Sequence, residues 1–319
     1  MRVEIVKCHG SGNDFVLVDC ITNTVGLSEE DFVGFTKYVC DREGVIGADG
    51  TLFLLPSSVA DVRMRIFNAD GSEPEMCGNG IRCLARKAFE ITGEDTILVE
   101  TMRSNLYCYR EEDIFEGVAS DSVLIDSVSF KTGELNIEYG DKFVGRVIPG
   151  LSPDLGFSFI NLGNPHIVSN ASVDDVVLEG LGRRANTDKQ LFPKGVNVSV
   201  FDKISDQELY VRTYERGVGL TSSCGTAMAS SCIAACLLGV CRFGEWIDVF
   251  NKGGMVRCLA DDKDGAFSVK LLGNATFVFT ASVEYPEPAS GQEIEEDVNT
   301  REVDAYQNFM DYCANYRNS

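Results

Sequence analysis

The chain has 319 residues, 44% of them hydrophobic, enough for a sizeable buried core and more in keeping with two domains than with one. Its formal net charge of −21, from 49 acidic against 28 basic residues, argues against a nucleic-acid binder or an anionic-membrane binder, because phosphate would be repelled at long range. No run of about 18 apolar residues occurs, and the start, Met1-Arg2-Val3-Glu4-Ile5-Val6-Lys7-Cys8-His9, reads as a strand and not as an apolar leader, so a cytoplasmic protein is expected.

Val3 and Ile5 open a first strand that runs into Lys7-Cys8-His9-Gly10-Ser11-Gly12-Asn13-Asp14, a glycine-punctuated loop, and a second strand follows at Phe15 to Val18. Ser28 before Glu29, Glu30 and Asp31 reads as an N-cap with acids in the first turn of a helix reaching about Cys40. Thr51 to Leu55 is a strand. Val62, Met64 and Ile66 alternate with Arg63 and Arg65 in a half-buried one that ends at Asn68. After Cys77, the residues Ile81, Leu84, Ala85, Ala88 and Phe89 mark one buried helical face, closed by Gly93. Several strands follow between about Thr96 and Phe130.

The second half repeats this order. A strand from Phe157 to Leu162 passes through Gly163-Asn164-Pro165-His166 to Ile167 and Val168, and Ser172 with Asp174 and Asp175 starts a short helix. Strands follow at Gly195 to Val200 and at Leu209 to Glu215. The loop Glu215-Arg216-Gly217-Val218-Gly219-Leu220-Thr221-Ser222-Ser223 then delivers Cys224 to an apolar helix, Met228 to Leu238, which Gly239 stops. Asn13 lies 64 positions before Cys77, and Asn164 lies 60 before Cys224. This predicts an α+β protein of two pseudo-symmetric domains, each a curved, mostly antiparallel sheet wrapped on a central helix, with Cys77 and Cys224 on opposite walls of an interdomain cleft. The expected boundaries are 1–120 for the first domain, completed by a strand at 276–283, and 121–274 for the second. An acidic linker and a terminal helix occupy 284–319, the helix with Val303, Tyr306, Met310 and Cys313 along one face.

Of the 12 cysteines no two form a CxxC pair, and Cys232 and Cys236 sit in an apolar helix where free Cys serves as a small hydrophobe, so neither a metal site nor a disulfide framework is expected. Cys77 and Cys224 differ from the rest because each opens a helix. A helix N-terminus offers unpaired N–H groups and partial positive charge, which would bind a carboxylate and lower a thiol pKa below its free value of about 8.5. Two such termini facing each other would put a sulfur on each side of an amino acid's α-carbon. One thiolate removes the α-proton, the opposite thiol donates another, and the N–H groups hold the developing enediolate without pyridoxal phosphate.

In the loops, Arg216 suits a second carboxylate, Glu215 an ammonium, and Asn13, Asn68, Asn164 and Asn197 supply amide donors and acceptors. His166 is open to two readings, a substrate contact or a turn after Pro165. A Cys224–His166–Asn protease triad can be drawn, but no protease signature surrounds Cys224. Gly10-Ser11-Gly12 is neither a P-loop nor GxGxxG.

Five ordered segments, Lys7 to Phe15, Phe67 to Glu73, Cys77-Gly-Asn-Gly-Ile-Arg-Cys83, Gly163-Asn-Pro-His166 and Tyr214-Glu-Arg-Gly-Val-Gly219 leading to Cys224-Gly-Thr226, resemble the diaminopimelate epimerases over nearly all of 1–284. The resemblance implies a homodimeric, cofactor-independent isomerase that interconverts LL- and meso-diaminopimelate in lysine and peptidoglycan synthesis. It makes Cys77 and Cys224 the acid/base pair and Gly78, Asn79, Gly225 and Thr226 the cradle for the reacting carboxylate. Asn13, Asn68, Asn164, Asn197, Glu215 and Arg216 become substrate contacts, with Arg216 at the distal carboxylate. Gly50 stands where many members carry Gln and Leu220 where Glu is common, which keeps open a racemase of another amino acid such as histidine. A catalytically silent amino-acid-binding protein is the reading of a different class, and the intact cysteine pair speaks against it.

Overall fold

The architecture is that of a computed structural model, which describes residues 1–23, 26–132, 142–286 and 294–316. It divides into two compact units, one of residues 1–123 and 272–319, the other of residues 124–271.

The first unit begins with β1 (Arg2–Gly10) and β2 (Asn13–Asp19), antiparallel across a tight turn in which Ser11 and Gly12 both take positive φ. Helix α1 (Phe32–Cys40) follows. It starts later than Ser28 predicts: Ser28 donates its backbone N–H and hydroxyl to the Asp31 carboxylate at 2.8 and 2.7 Å, so the acids form a turn ahead of the helix and Asp31 becomes the N-cap residue. Next come β3 (Gly50–Leu55), parallel to β2, and β4 (Val62–Asn68), antiparallel to β3. Helix α2 (Gly78–Thr92) is followed by β5 (Thr96–Glu100), β6 (Asn105–Arg110) and β7 (Ser120–Ile125). Strand β5 runs parallel to β4, and β6 is antiparallel both to β5 and to β7.

Strand alternation sends the side chains of this sheet to two layers. Leu52, Ile66 and Phe15 face Gly80 of α2, whereas Phe53, Phe67 and Val16 face α1 in a cluster with Phe32 and Phe35. Phe32 stacks on Phe53 with ring centroids 3.8 Å apart. Burying one such ring is worth roughly 1.5–3 kcal/mol. Helix α2 touches β1 through β6 and is buried on nearly every side of its first two turns, and it ends where Gly93, at φ 75°, returns its N–H to the Phe89 carbonyl.

The second unit contains β8 (Arg146–Ile148), β9 (Ser152–Asn161), β10 (Pro165–Ser169), α3 (Asp175–Thr187), β11 (Asn197–Ser205), β12 (Glu208–Glu215), β13 (Gly219–Thr221), α4 (Gly225–Leu237), β14 (Trp246–Asn251), β15 (Gly254–Lys263) and most of β16 (Ala266–Asn274), whose end, from Leu272 on, belongs to the first unit. The cap of α3 is Asp174, whose carboxylate accepts the Val177 N–H at 2.8 Å, and not Ser172. The pairings β9–β10 antiparallel, β10–β11 parallel, β11–β12 antiparallel, β12–β14 parallel and β14–β15 antiparallel repeat, in order, those from β1 to β6. Helix α4 takes the place of α2, and α3 that of α1.

Strand β17 (Thr276–Glu284) returns the chain to the first unit, antiparallel to β1, and β18 (Asp297–Val298) pairs with β17. Of the acidic stretch between Glu284 and Asn299, residues 287–293 lie outside the described residues. Helix α5 (Thr300–Tyr316) buries Ala305, Phe309 and Cys313 while Val303 stays exposed, so its inward face is turned from the one the sequence predicts. Glu302 explains the turn. Its carboxylate forms a two-pronged pair with Arg86 of α2 at 2.6 Å and accepts the Phe277 N–H at 3.0 Å, and Tyr306 then lies edge-on to His9.

Candidate active site

Each unit gathers its candidate residues where its central helix begins. In the first, Cys77 is the residue before α2, with an extended backbone at φ −140° and ψ 117°, and its carbonyl accepts the Ile81 N–H at 2.9 Å. The N–H groups of the first turn have no acceptor within the helix, and those of Asn79 and Gly80 are directed at the Cys77 sulfur. Arg65 fixes the approach to this point by a two-pronged pair with Glu73 at 2.7 and 2.8 Å.

Asn13 reaches the same point, its Oδ1 lying 3.7 Å from the Cys77 sulfur and 3.5 Å from Asn79 Nδ2. Its own Nδ2 donates to Asp49 at 2.7 Å, and Asp49 is held in turn by Arg42. Asn68 sits at the same end of the sheet, paired with Gly50, but its amide bonds to Ser72 Oγ at 2.9 Å and stands outside this network. A Cβ at Gly50 would come 2.4 Å from the Phe67 carbonyl oxygen, so a Gln at this place would push β3 and β4 apart.

In the second unit Cys224 precedes α4 with the same extended backbone, φ −136° and ψ 107°, and Gly225 and Thr226 form the first turn. Thr226 Oγ1 lies 3.5 Å from the Cys224 sulfur and accepts from Asn164 Nδ2 at 3.1 Å. Asn164 Oδ1 lies 3.0 Å from His166 Nε2. His166 pairs with Asn197 across β10 and β11, and Asn197 Oδ1 accepts the Arg216 N–H at 2.8 Å. Asn164, His166, Asn197, Arg216, Cys224 and Thr226 therefore belong to one connected group, which Glu215 joins through its side-chain contact with the Cys224 sulfur. His166 lies in a strand and is fully buried, so its part in the site passes through Asn164 and Asn197. Arg216 is exposed, with one N–H on the Lys194 carbonyl at 3.0 Å, and among the described residues no carboxylate pairs with it.

The electrostatics correct one expectation. Both cysteines were to have lowered pKa values, yet burial raises both. For Cys77 the burial is opposed by the Gly80 and Asn79 N–H groups and by the Arg82 charge. Cys224 is pushed up to about 12, first by burial and then by the negative charge of Glu215, against weaker help from Thr226 and the Ala227 N–H. Burial also lowers His166 to about 3, with Arg216 adding to it, so the imidazole is neutral and its Nε2–H donates to Asn164. Each half-buried thiol thus stands at the start of a central helix, where unpaired N–H groups can meet a carboxylate.

Arg82 stands inside the Cys77 motif, buried behind the helix end, and has no assigned role in the sequence pattern. The available signal was a lone charge among the apolar residues of the second turn of α2.

Among the described residues no helix is long and apolar enough to cross a membrane, and no group of three or more His, Cys, Asp or Glu side chains could hold a metal ion. A family model described as diaminopimelate epimerase matches residues 5–113 and 158–278. The chain is 39% identical over 316 residues to the diaminopimelate epimerase of Clostridium acetobutylicum, covering 98% of this chain and 95% of that one. It is 38% identical to that of Listeria monocytogenes, with coverages of 93% and 97%. Among solved structures, a Bacillus anthracis phenazine biosynthesis protein of the PhzF family superposes with a TM-score of 0.65 at 17% identity, over 89% of this chain and 99% of that one, a likeness of fold.

Proposed function

The chain belongs to the diaminopimelate epimerase family, and on that premise we propose that it inverts one α-carbon of diaminopimelate with Cys77 and Cys224 as the two acid/base groups. The thiolate of one cysteine takes the α-hydrogen as a proton, leaving an enediolate. The thiol of the other returns a proton to the opposite face, so the two sulfurs exchange protonation states in each turnover. The N–H groups around Gly78 and Asn79, and around Gly225 and Thr226, hold the reacting carboxylate as charge develops on it. Asn13, Asn68, Asn164, Asn197 and Glu215 contact the amino-acid groups, and Arg216 receives the distal carboxylate as a bidentate partner.

One observation carries this reading: two topologically equivalent units each place a cysteine, in the same extended conformation, immediately before a central helix. The exposed guanidinium of Arg216, with no protein carboxylate paired to it among the described residues, supports a dicarboxylic substrate. A cytoplasmic homodimer belongs to the same reading, and sedimentation of the purified protein checks the dimer. The substrate test is a panel of LL-diaminopimelate, L-histidine and L-proline without added pyridoxal phosphate, followed by chiral chromatography. Inversion confined to diaminopimelate is expected. Folded protein that inverts histidine or proline and leaves diaminopimelate unchanged would overturn the assignment.

A further inference from the structure

Among the described residues Arg82 is the largest fully buried side chain, and it projects from the second turn of α2. Its guanidinium donates to the Gly78 carbonyl at 2.9 Å, Asn79 Oδ1 at 3.2 Å, Ser11 Oγ at 3.3 Å and the Asn274 carbonyl at 3.3 Å. Space for it comes from two glycines: a Cβ on Gly10 or on Gly273 would stand 3.0 Å from its atoms. Asn274 completes the setting by accepting the Ser11 N–H at 2.7 Å. One planar fork thus joins the β1–β2 turn, the first turn of α2 and the end of β16.

We propose that Arg82 is a positioning residue for Cys77, one that fixes the direction of the Asn79–Asn13 amide pair and keeps a permanent positive charge behind the helix end. This rests on the epimerase reading only for its effect on turnover. A guanidinium can only donate, so Asn79 must turn its Oδ1 to Arg82 and its Nδ2 to Asn13. The Asp49 carboxylate, paired with the Arg42 guanidinium, accepts here, so Asn13 must turn its Nδ2 that way. With both ends specified, Asn13 Oδ1 faces the Cys77 sulfur and receives its proton as a directed hydrogen bond. Lysine would keep the charge and lose the fork. In the Cys224 half the position five after the cysteine is Ala229.

The test follows the alkylation of Cys77 by iodoacetamide against pH, read by peptide mass spectrometry in a Cys224→Ala background, for Arg82, Arg82→Lys and Arg82→Met. Arg82→Met should move the midpoint upward by about one pH unit, because a favourable charge near the thiolate is gone. Arg82→Lys should leave the midpoint in place. With Cys224 restored, both variants should lose about tenfold or more in kcat, while KM stays within about threefold. An unmoved midpoint in Arg82→Met, or a wild-type kcat in Arg82→Lys, overturns the proposal. If Arg82→Met does not fold, the Arg82→Lys kcat decides. Alkylation needs no substrate, so failure of the wild-type protein to invert diaminopimelate would be recorded separately.

Discussion

The two halves share a topology and differ in what surrounds the sulfur. Around Cys77 stand the amides of Asn13 and Asn79, ordered by the donor-only Arg82 and the accepting carboxylate of Asp49. Around Cys224 stand the hydroxyl of Thr226, the amide of Asn164 locked to a buried neutral imidazole, and the carboxylate of Glu215. A positive charge opposes the burial of one thiol and a negative charge reinforces it at the other. In the proposed reaction between two epimers both thiols would serve in turn as acid and base, but nothing requires their surroundings to match. Pseudo-symmetry here supplies two helix ends, and the loops give each its own electrostatics.

Removing either sulfur should have the largest effect. Cys77→Ala and Cys224→Ala should each lower the inversion rate by roughly a thousandfold, as measured from both epimers, since one proton transfer is lost. Near-normal turnover in either would remove that half from the chemistry.

Smaller changes should affect one half only. Glu215→Gln removes the charge that raises Cys224, so alkylation of Cys224 should begin at lower pH while the Cys77 profile is unmoved. Thr226→Val cuts a contact that favours the Cys224 thiolate, so the same profile should move upward. If either substitution shifted both cysteines alike, the surroundings of the two sulfurs would not be independent.

On the Cys77 side, Glu302→Gln leaves the Arg86 guanidinium of α2 without its charged partner. It should cost about 1–3 kcal/mol in denaturant unfolding, and a fully stable variant would show that α5 does not brace α2. The two histidines provide the finest comparison, one per unit. His9 is lowered to about 4 and His166 to about 3, both chiefly by burial, so NMR should find neither imidazole protonating between about pH 5.5 and 7.5. The unfolded chain binds these protons near pH 6.5, so both groups contribute stability that is present above that pH and is lost as pH falls toward 4 and 3. An imidazole titrating near 6.5 in the folded protein would contradict the burial of that residue.

The parts of this organisation visible in the sequence were those with a local signature. The alternation in Val62, Met64 and Ile66, the helical spacing from Ile81 to Phe89, and the two Cys-Gly steps each depend on residues within two or three turns of one another. The matched spacings from Asn13 to Cys77 and from Asn164 to Cys224 pointed to a repeated unit, while the contact of Asn13 with the Cys77 sulfur shows only in the fold. What stayed hidden depends on distant partners. Ser28 looked like a helix cap until Asp31 claimed its N–H and hydroxyl. The face of α5 is set by Arg86, more than two hundred positions away. The cysteine pKa values reversed sign because a helix end is a local feature and burial is not. Arg82 interleaves with Gly10, Gly273 and Asn274, residues that only the folded sheet brings together.

The central claim is that two sulfurs with different surroundings pass protons to and from one carbon, and isotope exchange tests it most directly. The purified enzyme is given LL-diaminopimelate in deuterium oxide, and product and recovered substrate are separated at low conversion. The account predicts solvent deuterium at the inverted α-carbon of the product and protium in the recovered substrate, with the same pattern when the meso isomer is the starting material. Product that retains the substrate's own α-hydrogen would contradict it.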